Sequence, residues 1–388
     1  MDSALLRDQF FHLYGPSQEP IHEFKAPGRV NLMGDHTDYN GGLVFPCAID
    51  RGIHLLIRKR ADRLVKLNSQ NFDLVAFLSP QDRIERFGDH WINFPLGVIQ
   101  QFEKKGLQIE GFDFLYAGNV PNGAGLSSSA AIEVVTAFAL NHLMNTQFST
   151  LDLVKMAKAA ENEFVGVPCG IMDQFAVAMA KEGHGMMLDC QTLEAQHVPL
   201  DLGSHQIVIV NSNQRRDLTE GHYQERFNEC LEALDIMKKN LNITALAQMD
   251  FETLRGYESE LGPKLYKRTR HVVTEHQRVI SSVQALQAGN LQEFGQLMMA
   301  SHQSLRDDYE VSCPALNALT DIAAQIDGVQ GSRLTGAGFG GCTVNLVRTK
   351  YVEEFIQQLG HQYQVKTGLT ADFYPIKVGG GVKEVYDA

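Results

Sequence analysis

Along the first half of the chain, apolar residues recur at short intervals between Gly, Asn and Asp, the pattern of strands and turns. Residues 51–60 (RGIHLLIRKR), 65–71 (VKLNSQN) and 111–118 (GFDFLYAG) read as strands. The period then lengthens. SSSAAIEVVTAFALNHLMN, residues 127–145, opens on serines, fills its first turn with alanine and spaces its apolar residues as a helix does. LDLVKMAKAAENEFVG (151–166) predicts a second helix, stopped at Gly166 and Pro168. After the strand-like QIVIVNSN (206–213), residues 223–241, 271–289 and 291–309 are amphipathic helical stretches of mixed charge. Strand patterns return at 341–347 and 371–379. The fold class is therefore α+β. A boundary near residues 200–210 divides an N-terminal lobe, 1–205, from a C-terminal lobe, 206–388. The basic run KLYKRTRH (264–271) reads as a solvated helix face.

Composition narrows the classes. With 388 residues, 44% hydrophobic and 21% charged, the chain can build more than one sizeable core. A net charge of -12 argues against a nucleic-acid partner, because phosphate backbones want a basic face. The six cysteines are scattered and form no CxxC pair, so neither a zinc knuckle nor a redox motif is expected. The opening MDSALLRDQF does not read as a signal peptide, and no apolar run has the length of a membrane span. A soluble cytoplasmic protein with no membrane partner is expected.

Against that background one stretch stands out. GRVNLMGDHTDYNGG, Gly28 to Gly42, packs Asp35, His36, Thr37, Asp38, Tyr39 and Asn40 between the apolar runs Val30–Met33 and Leu43–Phe45. Polar groups so flanked are partly buried and need partners. Either they satisfy one another or they receive a ligand rich in hydroxyls. A second motif, VPNGAGLSSSAA (120–131), joins a strand to the long helix. Gly123 and Gly125 permit close backbone approach, and the helix N-terminus offers N–H groups and a dipole to phosphate oxygens. It is no Walker A loop, for GxxxxGK[ST] is absent. Without that lysine, phosphate charge must be met by Mg²⁺ and the helix end, so a nearby carboxylate is required; Glu161 and Glu163 are both candidates. A third stretch, TGAGFGGC (335–342), formally contains GxGxxG. The apolar CTVNLV that follows reads as a strand, which excludes a dinucleotide fingerprint.

Taken together, these segments resemble the galactokinases of the GHMP small-molecule kinase superfamily. APGRVNLMGDHTDYN resembles the family's N-terminal signature, PNGAGLSSSAA its phosphate loop, CGIMDQF (169–175) its catalytic segment and TGAGFGGC its C-terminal Gly-rich motif. The similarity runs from about residue 20 onward, in the family's order. It implies a two-lobed fold with the active site in the cleft between lobes. It also implies transfer of a phosphoryl group from ATP, with Mg²⁺, to the anomeric hydroxyl of galactose. By position, Asp173 resembles the catalytic carboxylate and Arg29 its partner. Asp35, His36, Thr37, Asp38 and Tyr223 resemble the sugar site. Gly123, Ala124, Gly125, Leu126, Ser127, Ser128 and Ser129 resemble the ATP loop, and Ser129 with Glu161 the Mg²⁺ ligands. A monomer is expected. The chain departs from the family's commoner residues at Asp35 (usually Glu), Met33 (Ile) and Ala337 (Gly); Ala337 requires that its position not need positive φ. Rival readings are a related kinase for N-acetylgalactosamine or arabinose, a galactose sensor without catalysis, and a metal hydrolase built on Asp35, His36 and Asp38.

Overall fold

A computed structural model describes residues 3–79, 82–121, 125–214 and 219–385. Its strands are β1 (His22–Asn31), β2 (Leu43–Val44), β3 (Pro46–Arg60), β4 (Val65–Ser69), β5 (Ala76–Leu78), β6 (Gly111–Gly118), β7 (His184–Asp189), β8 (Ala195–Pro199), β9 (His205–Asn211), β10 (Val329–Thr335), β11 (Cys342–Arg348), β12 (Asp372–Ile376) and β13 (Lys383–Val385). They form three sheets, in the orders β13-β1-β3-β6-β4-β5, β10-β11-β9-β12 and β2-β7-β8.

The first sheet is buried on both faces, which is why its central strands read as continuous apolar runs. Leu55 and Ile57 of β3, with Phe114 and Tyr116 of β6, face the core shared with helices Asn93–Lys104, Ser128–Leu143, Thr150–Ala159 and Met172–Met179. Leu56, Leu115 and Ala117 alternate to the other face, under Leu6 and Phe10 of helix Ser3–Tyr14. In the second sheet Val208 and Val210 pack against helices Pro314–Ala323 and Val352–Thr367. Ile207 and Ile209 face the opposite way, into a cluster with Val30, Leu32, Met33, Phe45, Val279 and Phe294. That cluster joins the end of β1 to the C-terminal helices, so the polar loop after β1 lies at a junction.

Most elements lie where the periodicity places them, with three instructive differences. The second predicted helix is α-helical only over Thr150–Ala159 and continues as a π-turn over Ala160–Val165. Such a turn shifts the facing of side chains and recurs at functional sites. The 271–289 helix is part of a longer element, Glu258–Gln287, kinked where Gly262 takes φ 67° ahead of Pro263. The basic run 264–271 is only half solvated. Lys264 and Lys267 are exposed, whereas Arg268 is enclosed and donates to Glu229 at 2.7 Å and Glu310 at 2.7 Å. Four cations and a histidine in eight positions read as one basic face, which hid the fact that Arg268 turns inward. Among the described residues, no helix is long and apolar enough to cross a membrane.

One buried ion pair links the first sheet to the second. Arg333 of β10, with no exposed surface, donates to the carboxylate of Asp35, which follows β1. Replacing Arg333 by Met leaves that carboxylate enclosed and unpaired, and should cost about 3–5 kcal/mol of stability; urea unfolding of the variant measures it.

Candidate active site

The loop after β1 is shaped from beneath. Gly34 adopts φ 93°, and a Cβ there would lie 2.6 Å from the Leu43 carbonyl oxygen. Its N–H donates to Glu275 at 2.9 Å, a carboxylate also bound by Ser301 and Arg278. Burial alone would raise the Glu275 carboxyl, but the Arg278 and Arg333 charges outweigh it and hold the group at about 2. His271 reaches the Asp35 carbonyl oxygen from the same helix at 3.1 Å. Thr37 is fully enclosed, its hydroxyl 2.7 Å from the carbonyl oxygens of Gly34 and Leu43. Thr37 therefore braces the turn and does not line the pocket. Asp35 reaches the pocket edge, but its oxygens are met by Asn31 at 2.9 Å, by the Gly336 N–H at 3.2 Å and by Arg333.

His36, at φ 65°, turns its ring into the pocket. Burial, then the neighbouring His271, lowers its pKa to about 3, so it is neutral. Its Nε2–H donates to the Ala337 carbonyl at 3.2 Å. Nδ1 must then accept, from the Tyr39 hydroxyl at 2.8 Å, which in turn accepts from Tyr309 at 2.7 Å. Asp38 differs from these in having few protein donors. It sits over Gly170, where a Cβ would fall 1.7 Å from its Oδ2, so only glycine at 170 leaves the carboxylate room. Burial, then the charge of Asp173, raises Asp38 to about 7.

Arg29, Asp35, His36, Asp38, Asp173 and Tyr223 line one pocket of about 500 Å³. Within it Asp173 is held on three sides. Arg29 donates Nε–H at 2.8 Å and Nη2–H at 2.9 Å in a bidentate pair, and the Ser127 hydroxyl donates at 2.5 Å. Nη1 of Arg29 also binds the Gly125 carbonyl at 2.6 Å, tying the Gly-Ser loop to β1.

Gly123 and Ala124 lie outside the described residues. Gly125 takes φ 71°, and Leu126 accepts from the Arg29 N–H at 3.1 Å. Ser127 caps the helix Ser128–Leu143 with φ 58°, its hydroxyl spent on Asp173 rather than on the helix end. Ser128 and Ser129 follow in the first turn, and the Ser129 hydroxyl bonds Glu161. Glu163 is excluded, since it is tied to Lys104 at 2.7 Å on the surface. Two residues apart on one turn, the two carboxylates face opposite sides: Glu161 is enclosed and Glu163 is not. Beside the serines lies a cavity of about 120 Å³ walled by Phe72, Trp91, Phe94, Tyr116 and Ile132. In the third motif Gly336, Gly338, Gly340 and Gly341 take positive φ while Ala337 does not. β11 follows directly, so the dinucleotide reading fails as expected.

Several functional neighbours escaped the sequence reading. Tyr39 stands out only as one of a polar group, and Tyr309 and Arg333 lie 270 and 298 residues away from Tyr39 and Asp35. Glu133 is fully buried, and burial, then the charge of Glu161, pushes its carboxyl well above the usual carboxylate range. A signal was present: a lone acid in the apolar run AAIEVVTAF, four residues after Ser129 and so on its face. Gln174, beside Asp173, donates to both Glu133 and Glu161.

Comparison with known proteins agrees with this geometry. Residues 8–59 match the galactokinase galactose-binding signature. Residues 93–181 match the GHMP kinase N-terminal domain and 282–365 the C-terminal one. The galactokinase of Bacillus subtilis (strain 168) is 44% identical over 384 residues, covering 98% of each chain. The chain belongs to the galactokinase family. The galactokinase of Fusobacterium nucleatum is 45% identical over 372 residues, covering 94% of this chain and 95% of its own. The crystal structure of Lactococcus lactis galactokinase complexed with galactose superposes with a TM-score of 0.95 at 39% identity, covering 99% of this chain and 100% of that one. Methanococcus jannaschii mevalonate kinase shares the fold at 19% identity, with a TM-score of 0.67 over 94% of this chain and 99% of its own. The architecture is the GHMP-kinase fold.

The raised Asp38 carboxyl fixes the sign of a pH effect. The folded chain holds this proton up to about 7, the unfolded chain only to 3.8, so Asp38 costs stability as pH rises from about 4 through about 7. Over that interval the unfolding free energy of Asp38→Asn should fall less than that of the wild type, as read by urea titrations at stepped pH.

Proposed function

We propose that the chain transfers the γ-phosphoryl group of ATP to the anomeric hydroxyl of D-galactose, giving galactose 1-phosphate and ADP. One observation carries the reading: Asp173, clamped by Arg29 and Ser127, shares a pocket with the carboxylate of Asp38 at the mouth of a Gly-Ser phosphate loop. The high identity to a galactokinase crystallised with galactose supports the choice of sugar.

In this reading Asp38, ionised, accepts hydrogen bonds from neighbouring sugar hydroxyls, while Tyr223 and the His36 ring bound the sugar's faces. The bidentate clamp fixes Asp173 beside the attacking hydroxyl, where it accepts the proton as the oxygen bonds to phosphorus. Arg29 spends part of its fork on Asp173 and Gly125; its other N–H groups are left for the transferring phosphoryl oxygens. The N–H groups of the first helical turn at Ser128 and Ser129 receive the nucleotide phosphates. The aromatic cavity suits adenine. Trp91, in its wall, has an indole N–H that is buried with no partner among the described residues, a donor free for a base nitrogen.

Ser129 and Glu161 offer a hydroxyl and a carboxylate, hard oxygen donors that would hold Mg²⁺. Bound there, the cation would neutralise charge on the phosphates. We read the two lobes as meeting near residues 205–206. The free cysteines fit a reducing compartment and hence the cytoplasm.

With Mg²⁺ and ATP, galactose should release ADP and give the phosphorus NMR signal of an anomeric phosphate, whereas N-acetylgalactosamine and arabinose should give neither. Turnover confined to one of those two would move the specificity. Asp173→Asn should lower kcat by about 10²–10⁴-fold while galactose still binds. Near-normal turnover in that variant would remove Asp173 from the chemistry.

A further inference from the structure

Nothing in the reaction above uses Glu133, yet its setting is specific. The side chain has no exposed surface, and its Oε1 has no partner among the described residues. Its Oε2 accepts from Gln174 Nε2 at 3.0 Å. The same amide nitrogen donates its other hydrogen to Glu161 Oε2 at 2.6 Å. Gln174 has no exposed surface either, and its Oε1 is buried and unpartnered. In this orientation the amide nitrogen faces both carboxyl oxygens and gives each a hydrogen. The orphaned Gln174 oxygen is what this orientation leaves behind. The link joins three elements: Glu133 from the helix that begins at the phosphate loop, Glu161 from the π-turn, and Gln174 from the helix that carries Asp173.

We propose that Glu133 is a positioning residue that holds the Glu161 carboxylate turned toward Ser129 by way of the Gln174 amide, and so sets the affinity of the cation site without touching the cation. The proposal rests on the reading of Ser129 and Glu161 as cation ligands. Partners behind metal-ligating side chains act in this way, and their loss lowers metal affinity by about 10–100-fold. The link needs an acceptor at position 133, not a charge. A glutamine there keeps an oxygen for the amide, whereas a methionine of similar length keeps none.

Mn²⁺ binding in the presence of ADP, followed by electron paramagnetic resonance, reads the link without turnover. Glu133→Met and Gln174→Met should each weaken Mn²⁺ by about 10-fold or more. Both should raise the Mg²⁺ concentration needed for half-maximal rate more than they lower kcat, and leave galactose affinity near wild type. Glu133→Gln should stay close to wild type. The double variant Glu133→Met/Gln174→Met should be no weaker than either single one, since both break one link. Wild-type Mn²⁺ affinity in the two Met variants overturns the proposal. So does equal weakening in Glu133→Gln, which would make Glu133 a ligand through its charge. Should Glu133→Met fail to fold, Gln174→Met tests the same link from the amide side. Glu161→Gln is the control. If it weakens Mn²⁺ while the Met variants do not, only the link falls; if it leaves Mn²⁺ unchanged, the cation site falls and the link with it.

Discussion

The Arg333 guanidinium and the Asp35 carboxylate meet almost wholly enclosed at the edge of the pocket, and the site is arranged around that meeting. Two charges taken out of water repay that cost only when they are paired in good geometry. Asn31 and the Gly336 N–H complete the shell around Asp35, so the end of β1, the strand β10 and the Gly-rich turn are fixed against one another. Gly336 in turn carries Ala337, whose carbonyl sets the tautomer of His36. A pocket of mixed polar groups keeps its shape because its frame is determined by a demand that admits few solutions.

The pocket assigns different work to residues of the same type. Asp35, Asp38 and Asp173 are three carboxylates within one cleft. The first is saturated by donors and acts as frame. The second is raised by burial and by its neighbour, with little protein to bind. The third is aimed by a bidentate arginine and a serine. The difference lies in how many donors each environment supplies, and it decides which acid is left to meet a ligand.

Much of this could be read in the sequence, and the reason is local. β3 and β6, the Gly-Ser loop and the long helix declare themselves through periodicity and turn chemistry spanning a dozen residues. Asp38 could be singled out for the same reason, lying inside a motif, whereas Glu161 and Glu163 stayed undivided until the family resemblance was applied. Thr37 was not separable from its neighbours, because a hydroxyl that caps two carbonyls and one that binds a sugar have the same letter. Arg268 and Arg333 were invisible as buried cations. Their partners are fixed by packing across tens to hundreds of residues, and no periodicity records it. The π-turn over Ala160–Val165 is a further case, for no propensity scale marks it.

The short strand β13 has a bearing on how such a chain comes to be folded. It pairs with β1 through Glu23, Phe24 and Lys25, partners some 360 positions earlier. During synthesis the first sheet can form from β1 to β6 and collect its helices, but the Glu23–Lys25 edge of β1 stays unpaired until β13 has been made. An open edge of that kind is a template for any other strand. Pairings this distant also form slowly, because the loop must close before the contact repays it. The first sheet is thus completed by a strand from far along the chain, not by its sequence neighbours.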